Sequence, residues 1–248
     1  HTTADAHAGT NTAACGLGVY RGDLMPELKN NVFTCDPTGQ LVTRYKVEPN
    51  GASLKATRVG KNTEFFRSGD EWCRPVNVTT GPDGALYICD MYRHYIDHAR
   101  FFPEEFVKAH DMREGEREGR IWRIVPKGKN ARKIEPAPEK VEDLVAWLGH
   151  ENAWQRETAQ RLLVETQAPQ KEAFWRAAEK QKWTPLFAFT VFSLGTKLDA
   201  VDQTKAKQDQ KALGLMTSVV KTQVAPFFKD PSFNALVLKY LITNDGPP

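Results

Sequence analysis

Residues 72–93 read WCRPVNVTTGPDGALYICDMYR, and their pattern is that of two strands folded about one corner. Val76 and Val78 alternate with Asn77 and Thr79, the two-residue period of a half-buried strand. Gly81-Pro82-Asp83-Gly84 then supplies a fixed φ at proline, a carboxylate that bonds nearby backbone, and two glycines that accept conformations closed to other residues. Ala85 to Cys89 resumes a run suited to a strand. The stretch is therefore a β-hairpin. Arg74 stands at its start, and Asp90, Tyr92 and Arg93 at its exit, where loops open onto a face.

The same texture extends through the first 125 residues. Short β-rich runs are expected at Ala13–Tyr20, Val32–Cys35, Leu41–Val47, Leu54–Val59, Pro75–Thr80, Ala85–Asp90 and Arg120–Val125, separated by Gly, Pro, Asn and Asp. That spacing suits propeller blades or a sandwich. Residues 92–118 interrupt the last pair as an insertion rich in aromatic and charged side chains. It holds a short helix, PEEFVKAHD, opened by Pro103 with Glu104 and Glu105 in its first turn.

After Pro126 the composition changes. Residues 129–140 are basic and then proline-rich, as a linker is, and from residue 141 the apolar spacing becomes helical. Leu144, Val145 and Leu148, then Trp154, Ala159, Leu162 and Leu163, predict two short antiparallel helices joined at His150-Glu151-Asn152-Ala153, with Asn152 as the N-cap facing Gln155. Further helices are expected over Gln170–Lys182, Pro185–Leu194, Ala212–Val219 and Ser232–Ile242, so residues 141–248 read as a stack of helix pairs.

A net charge of +3 over 248 residues gives no polyelectrolyte character and no case for a nucleic-acid partner. The longest apolar stretch, Leu186–Leu194, is too short to cross a bilayer, so the expectation is a soluble chain without a transmembrane segment. Its opening residues, His-Thr-Thr-Ala, have neither an initiating Met nor a signal-like apolar core, which reads as a processed or partial product. Cys15, Cys35, Cys73 and Cys89 all fall in the β-rich part, and no CxxC or CxxCH carries metal or haem. Cys15 and Cys35 flank Met25 almost symmetrically, so a disulfide between them is expected, whereas Cys73 and Cys89 are out of opposition about Pro82. An even count of this kind suits an exported, periplasmic protein.

GPDGALYICDMYR, then HYIDH, REGEREGRIWRIVP and, past the linker, LVAWLGHENAWQRETAQRLL, closely resemble the bacterial membrane-bound dehydrogenase family, also labelled PVC-type haem-binding CxxCH proteins. The resemblance covers nearly the whole chain, fading to helical pattern beyond Gln167. It implies a six-bladed β-propeller of the glucose/sorbosone dehydrogenase type followed by HEAT-like helical repeats. Residues 1–128 would be its last two blades, or about that, and 141–248 its HEAT-like part. The remaining blades would come from the same precursor or a separate chain, and a c-type cytochrome is an implied partner. By the same resemblance Arg74 faces the central pocket and binds pyrroloquinoline quinone with Ca²⁺, with Asp90, Tyr92 and Arg93 at the pocket mouth. An arginine that keeps its charge suits the quinone's carboxylates.

Two alternatives stand beside these assignments. Arg74 is equally readable as an ion-pair partner of Asp90, Asp70 or Glu71, and the three loop residues as turn caps. His94 and His98 have i, i+4 spacing but no third ligand. No residue is a convincing general base, so catalysis by this chain alone is not expected. The implied function is part of an exported quinoprotein-like sugar or alcohol dehydrogenase that passes electrons to a haem domain elsewhere. The alternative is a non-catalytic propeller and HEAT scaffold that binds proteins or glycans.

Overall fold

The structure, a computed structural model, describes residues 11–60, 63–128, 132–166, 168, 172–185, 187–191, 210–231 and 234. The chain divides into two compact units, His1–Ile134 and Glu135–Pro248. The first unit is built of antiparallel sheets and the second of helices.

Strands β1 (Cys15–Val19), β2 (Val32–Asp36), β3 (Leu41–Asn50) and β4 (Ser53–Arg58) form one sheet in chain order, and the two-residue strand β5 (Phe66–Arg67) pairs with the start of β3. Strands β6 (Pro75–Thr80), β7 (Leu86–Asp90) and β8 (Arg120–Ile124) form a second meander. Its register aligns Val78 with Ile88 and Trp122, and Thr80 with Leu86 and Ile124, so one face gathers most of the large apolar side chains. That face meets Phe33, Cys35 and Val42 of the first sheet, together with Tyr20, Leu24, Met25 and Leu28 from the loop between β1 and β2. Each fully buried Phe, Leu or Ile in such a layer contributes about 1.5–3 kcal/mol relative to exposure.

The two sheets touch chiefly through β1 and β2 against β6. Glycine makes the approach possible. A Cβ on Gly16, whose φ is +53°, would lie 2.0 Å from the Val76 carbonyl oxygen, and one on Gly18 would lie 2.6 Å from Val78 Cγ2.

The Gly81–Gly84 corner is a docking element rather than a free turn. Asp83 is buried, with Oδ1 accepting the Ala85 amide at 3.2 Å and Oδ2 accepting Arg123 Nε at 2.7 Å. Gly84, at φ +79°, turns its carbonyl to the hydroxyl of the fully buried Tyr20, which also accepts the Met25 amide at 2.9 Å. Arg123 reaches on to the Arg132 carbonyl, and Arg132 pairs with Asp23 at 2.7 Å. The corner thus binds the second sheet to the β1–β2 loop of the first.

Cys15 and Cys35 are direct register partners across β1 and β2. The expected disulfide is not formed, and all four cysteines are free thiols. The Cys15 thiol instead donates to the Val76 carbonyl at 3.6 Å, across the seam between the sheets.

The insertion carries a three-residue 3₁₀ turn, Ala99–Phe101, and helix α1 (Glu104–Ala109). In the second unit α2 (Val141–Trp147) and α3 (Ala153–Glu165) form the expected pair, and Asn152 caps α3 by accepting the Trp154 amide at 3.0 Å. Helix α4 (Glu172–Glu179) buries Phe174 and Trp175 against Leu144, Val145, Leu148 and Leu163. Residues 185 and 187–191 are helical. Helix α5 (Gln210–Val219) runs into a π turn, Val220–Val224, and a 3₁₀ turn, Ala225–Lys229. The helix expected over Ser232–Ile242 falls almost wholly outside the described residues. Among the described residues no helix is long and apolar enough to cross a membrane.

Candidate functional site

Strands β6, β7 and β8 bring one end of the second sheet together around Asp90. Register sets Pro75 opposite Asp90 and Asp90 opposite Arg120, so the acid sits between the outer two strands. Its side chain is fully buried and takes four hydrogen bonds. Oδ1 accepts the amides of Arg74 (2.7 Å) and Tyr92 (2.9 Å), and Oδ2 accepts Arg120 Nε (2.9 Å) and Trp122 Nε1 (2.9 Å). A carboxylate so enclosed is stable only because every donor points at its charged form. Burial pushes the Asp90 pKa up, but the bonds from Arg74, Trp122, Tyr92 and Arg120 together outweigh it and hold the group below the ordinary carboxylate range.

Arg120 is the cation of the cluster. It also reaches Asp70 Oδ2 at 3.0 Å, and its guanidinium lies 4.4 Å from the ring centres of both Tyr92 and Trp122. Sequence reasoning does not single it out. Tyr92 adopts a left-handed φ of +52°, and its ring packs on Trp72 at 5.5 Å. The hydrogen bond its amide donates to Asp90 and the two ring contacts hold that conformation.

Arg74 directs its side chain to backbone carbonyls. Its Nε donates to the Arg93 carbonyl (2.9 Å), Nη1 to the Pro37 carbonyl (3.0 Å) and Nη2 to the His94 carbonyl (2.7 Å). Burial lowers its pKa, with the carboxylate of Asp97 foremost in opposing that. The arginine is a clamp that ties the exit of β7 to the loop after β2. The ion pair expected of it with Asp90 or Asp70 belongs to Arg120, and only its backbone amide meets Asp90. Arg93 gives its carbonyl to this clamp, while its own Nε is buried with no hydrogen-bond partner among the described residues.

The two histidines make separate contacts in the insertion. His94 stacks between Trp72 (5.5 Å) and Tyr95 (4.3 Å), with Nδ1 3.0 Å from Glu114. His98 caps the Ala99–Phe101 turn by accepting the Arg100 amide at 3.1 Å. Among the described residues no three or more His, Cys, Asp or Glu side chains are placed to hold a metal. An open depression of about 360 Å³ lies along Asp111–Glu118, and none of Arg74, Asp90, Tyr92 and Arg93 lines it.

The depressed Asp90 pKa has a direct consequence for acid stability. Its contribution is complete above the unfolded value of about 3.9 and is lost as pH falls through the lower folded value. Urea unfolding of the first unit between pH 7 and pH 3 is expected to show stability falling below about pH 4, with that fall reduced in Asp90→Asn. An unchanged acid limb in the variant would show that other groups carry it.

A family model described as a domain of unknown function (DUF7133) matches residues 1–128. No curated protein and no solved structure matches the chain.

Proposed function

The chain belongs to the DUF7133 family, and from the stacking of its two sheets we infer that it is a non-catalytic propeller and HEAT-like scaffold within an exported, dehydrogenase-like assembly. The observation that carries this reading is the way the sheets meet. Two successive antiparallel meanders pack face to face through their first strands, with glycines at the tightest point, as adjacent blades do around an axis. Helices α2, α3 and α4, packed as short neighbours on one core, suit HEAT-like repeats.

Pyrroloquinoline quinone with Ca²⁺ does not fit the four residues nominated for it. Ca²⁺ takes about six to eight oxygen ligands, and both Asp90 oxygens already accept two donors each. Each Arg74 nitrogen is anchored on a carbonyl, and the Tyr92 ring is covered by Trp72 and Arg120. Arg93 has one buried nitrogen without a partner among the described residues, and one such donor does not make a quinone site. In this reading the redox centre, the general base and the haem acceptor reside in other parts of the assembly.

The outward faces of the two sheets are where further blades would pack. Leu17 is 68% exposed on β1 and Ile121 is 69% exposed on β8, in strands whose other faces are half-buried. Co-expression with the remaining blades of a six-bladed propeller is expected to give a stoichiometric complex, lost in Leu17→Asp and Ile121→Asp. Separate elution of the two wild-type proteins would refute the scaffold reading.

A further inference from the structure

We propose that Cys15 and Cys35 form a thiol–disulfide exchange site at the seam of the two sheets, closed by a small-molecule disulfide such as oxidised glutathione. Their Cα atoms are register partners on adjacent antiparallel strands, so both side chains leave the same face of the sheet. Directly opposed residues have Cβ atoms about 4.5–5.5 Å apart, and a disulfide needs about 3.5–4.5 Å. The shift required is small, and a register irregularity between Cys15 and Gly18 gives β1 room to make it.

The two thiols are unequal, and their inequality sets the order of events. Cys35 is fully buried, whereas Cys15 is partly exposed. Burial, and after it the neighbouring Cys15 and Cys89, push the Cys35 thiol up to about 12. Burial and then Asp36 also raise Cys15. Exchange therefore begins at Cys15. Its sulfur loses a proton and attacks the external disulfide, forming a mixed disulfide and releasing one glutathione thiolate. The Cys35 sulfur, giving up its proton, then attacks the Cys15 sulfur and expels the second glutathione. Two protein thiols lose two electrons and two protons, and the glutathione disulfide gains them as two thiols.

Closure also alters the seam. The Cys15 hydrogen that now bonds the Val76 carbonyl is lost, so one polar link between β1 and β6 is exchanged for a covalent link between β1 and β2. With both thiols raised, exchange in the folded chain is slow. Bridge formation is consequently fastest while the chain folds and the pair is still open to solvent.

The test uses the full chain, reduced and then incubated with oxidised glutathione, both folded and during refolding from urea. Free thiols are alkylated after acid quenching, and unreduced peptides are mapped by mass spectrometry. The expected product joins the Cys15 and Cys35 peptides with the loss of two hydrogens, forms faster on refolding, and persists in Cys89→Ala. Cys35→Ala is expected to leave Cys15 as a glutathione mixed disulfide. The bridged chain should melt at a higher temperature than the reduced one, and the difference should vanish with dithiothreitol. Four alkylated thiols under both conditions, or a Cys35–Cys89 link in the wild-type chain, would overturn the proposal. The wild-type and Cys89→Ala maps decide it even if Cys35→Ala does not fold.

Discussion

Asp90→Ala is expected to lower the unfolding free energy of the first unit by about 3–5 kcal/mol, the usual cost of removing one partner from a buried ion pair. Two amides, the Trp122 indole and Arg120 would all lose their acceptor together. Arg120 keeps Asp70, which is partly exposed and cannot serve the other three donors. Urea titration followed by far-UV circular dichroism measures the loss. The double variant Asp90→Ala/Arg120→Met separates the coupled part, because it removes the stranded charge along with its partner. It should be less destabilised than the two single losses added together. A loss of under about 1 kcal/mol in Asp90→Ala would place the cluster among ordinary surface pairs.

Gly16→Val should be more damaging still, at about 4 kcal/mol or more, in the range reserved for a specific structural clash. The added Cβ meets backbone, not a side chain that can swing away: the Val76 carbonyl oxygen at 2.0 Å and Asn77 Cα at 2.6 Å. The φ of +53° adds about 1–2 kcal/mol of its own for an L-residue. Gly51 supplies the control, with φ +60° and, among the described residues, no neighbouring heavy atom within 4 Å of the place a Cβ would take. Gly51→Val therefore carries the backbone strain without the clash. Equal unfolding free energies for the two variants would mean that the sheets separate at no cost, contrary to their shared core.

The strands are legible in the sequence because their alternation is dense and their turns carry Gly, Pro, Asn and Asp. Pro75–Thr80 has the bounds expected of it, and Ala85–Asp90 and Arg120–Val125 agree to within a residue. Strand β5 escapes a sequence reading because two residues, Phe66 and Arg67, are too few to show a period. The polar cluster is legible in part. Asp90, Tyr92 and Arg93 stand out for their place at a strand exit, but a loop's own sequence does not say which donors will converge on it. Arg120 does carry a signal. It shares a face of β8 with Trp122 and Ile124, so an inward arginine there requires a buried carboxylate, and its register partner is Asp90. Arg74 offers nothing of the kind. Its acceptors are backbone carbonyls of Pro37, Arg93 and His94, which every residue possesses and no side-chain pattern advertises.

Strands β7 and β8 are neighbours in the sheet, yet residues 91–119 lie between them. A hairpin of about two to five residues would join such a pair. The entropy of closing a flexible loop grows only logarithmically, by about 0.6 kcal/mol for each doubling of length, so the longer path costs roughly 2 kcal/mol. The stacking of His94 on Trp72 and the Arg74 clamp at its start hold the near end in place, whatever follows. The sheet is thus nearly indifferent to what hangs from this junction beyond His94, which makes residues 95–119 the place where the fold can accept a change of length or chemistry without being rebuilt.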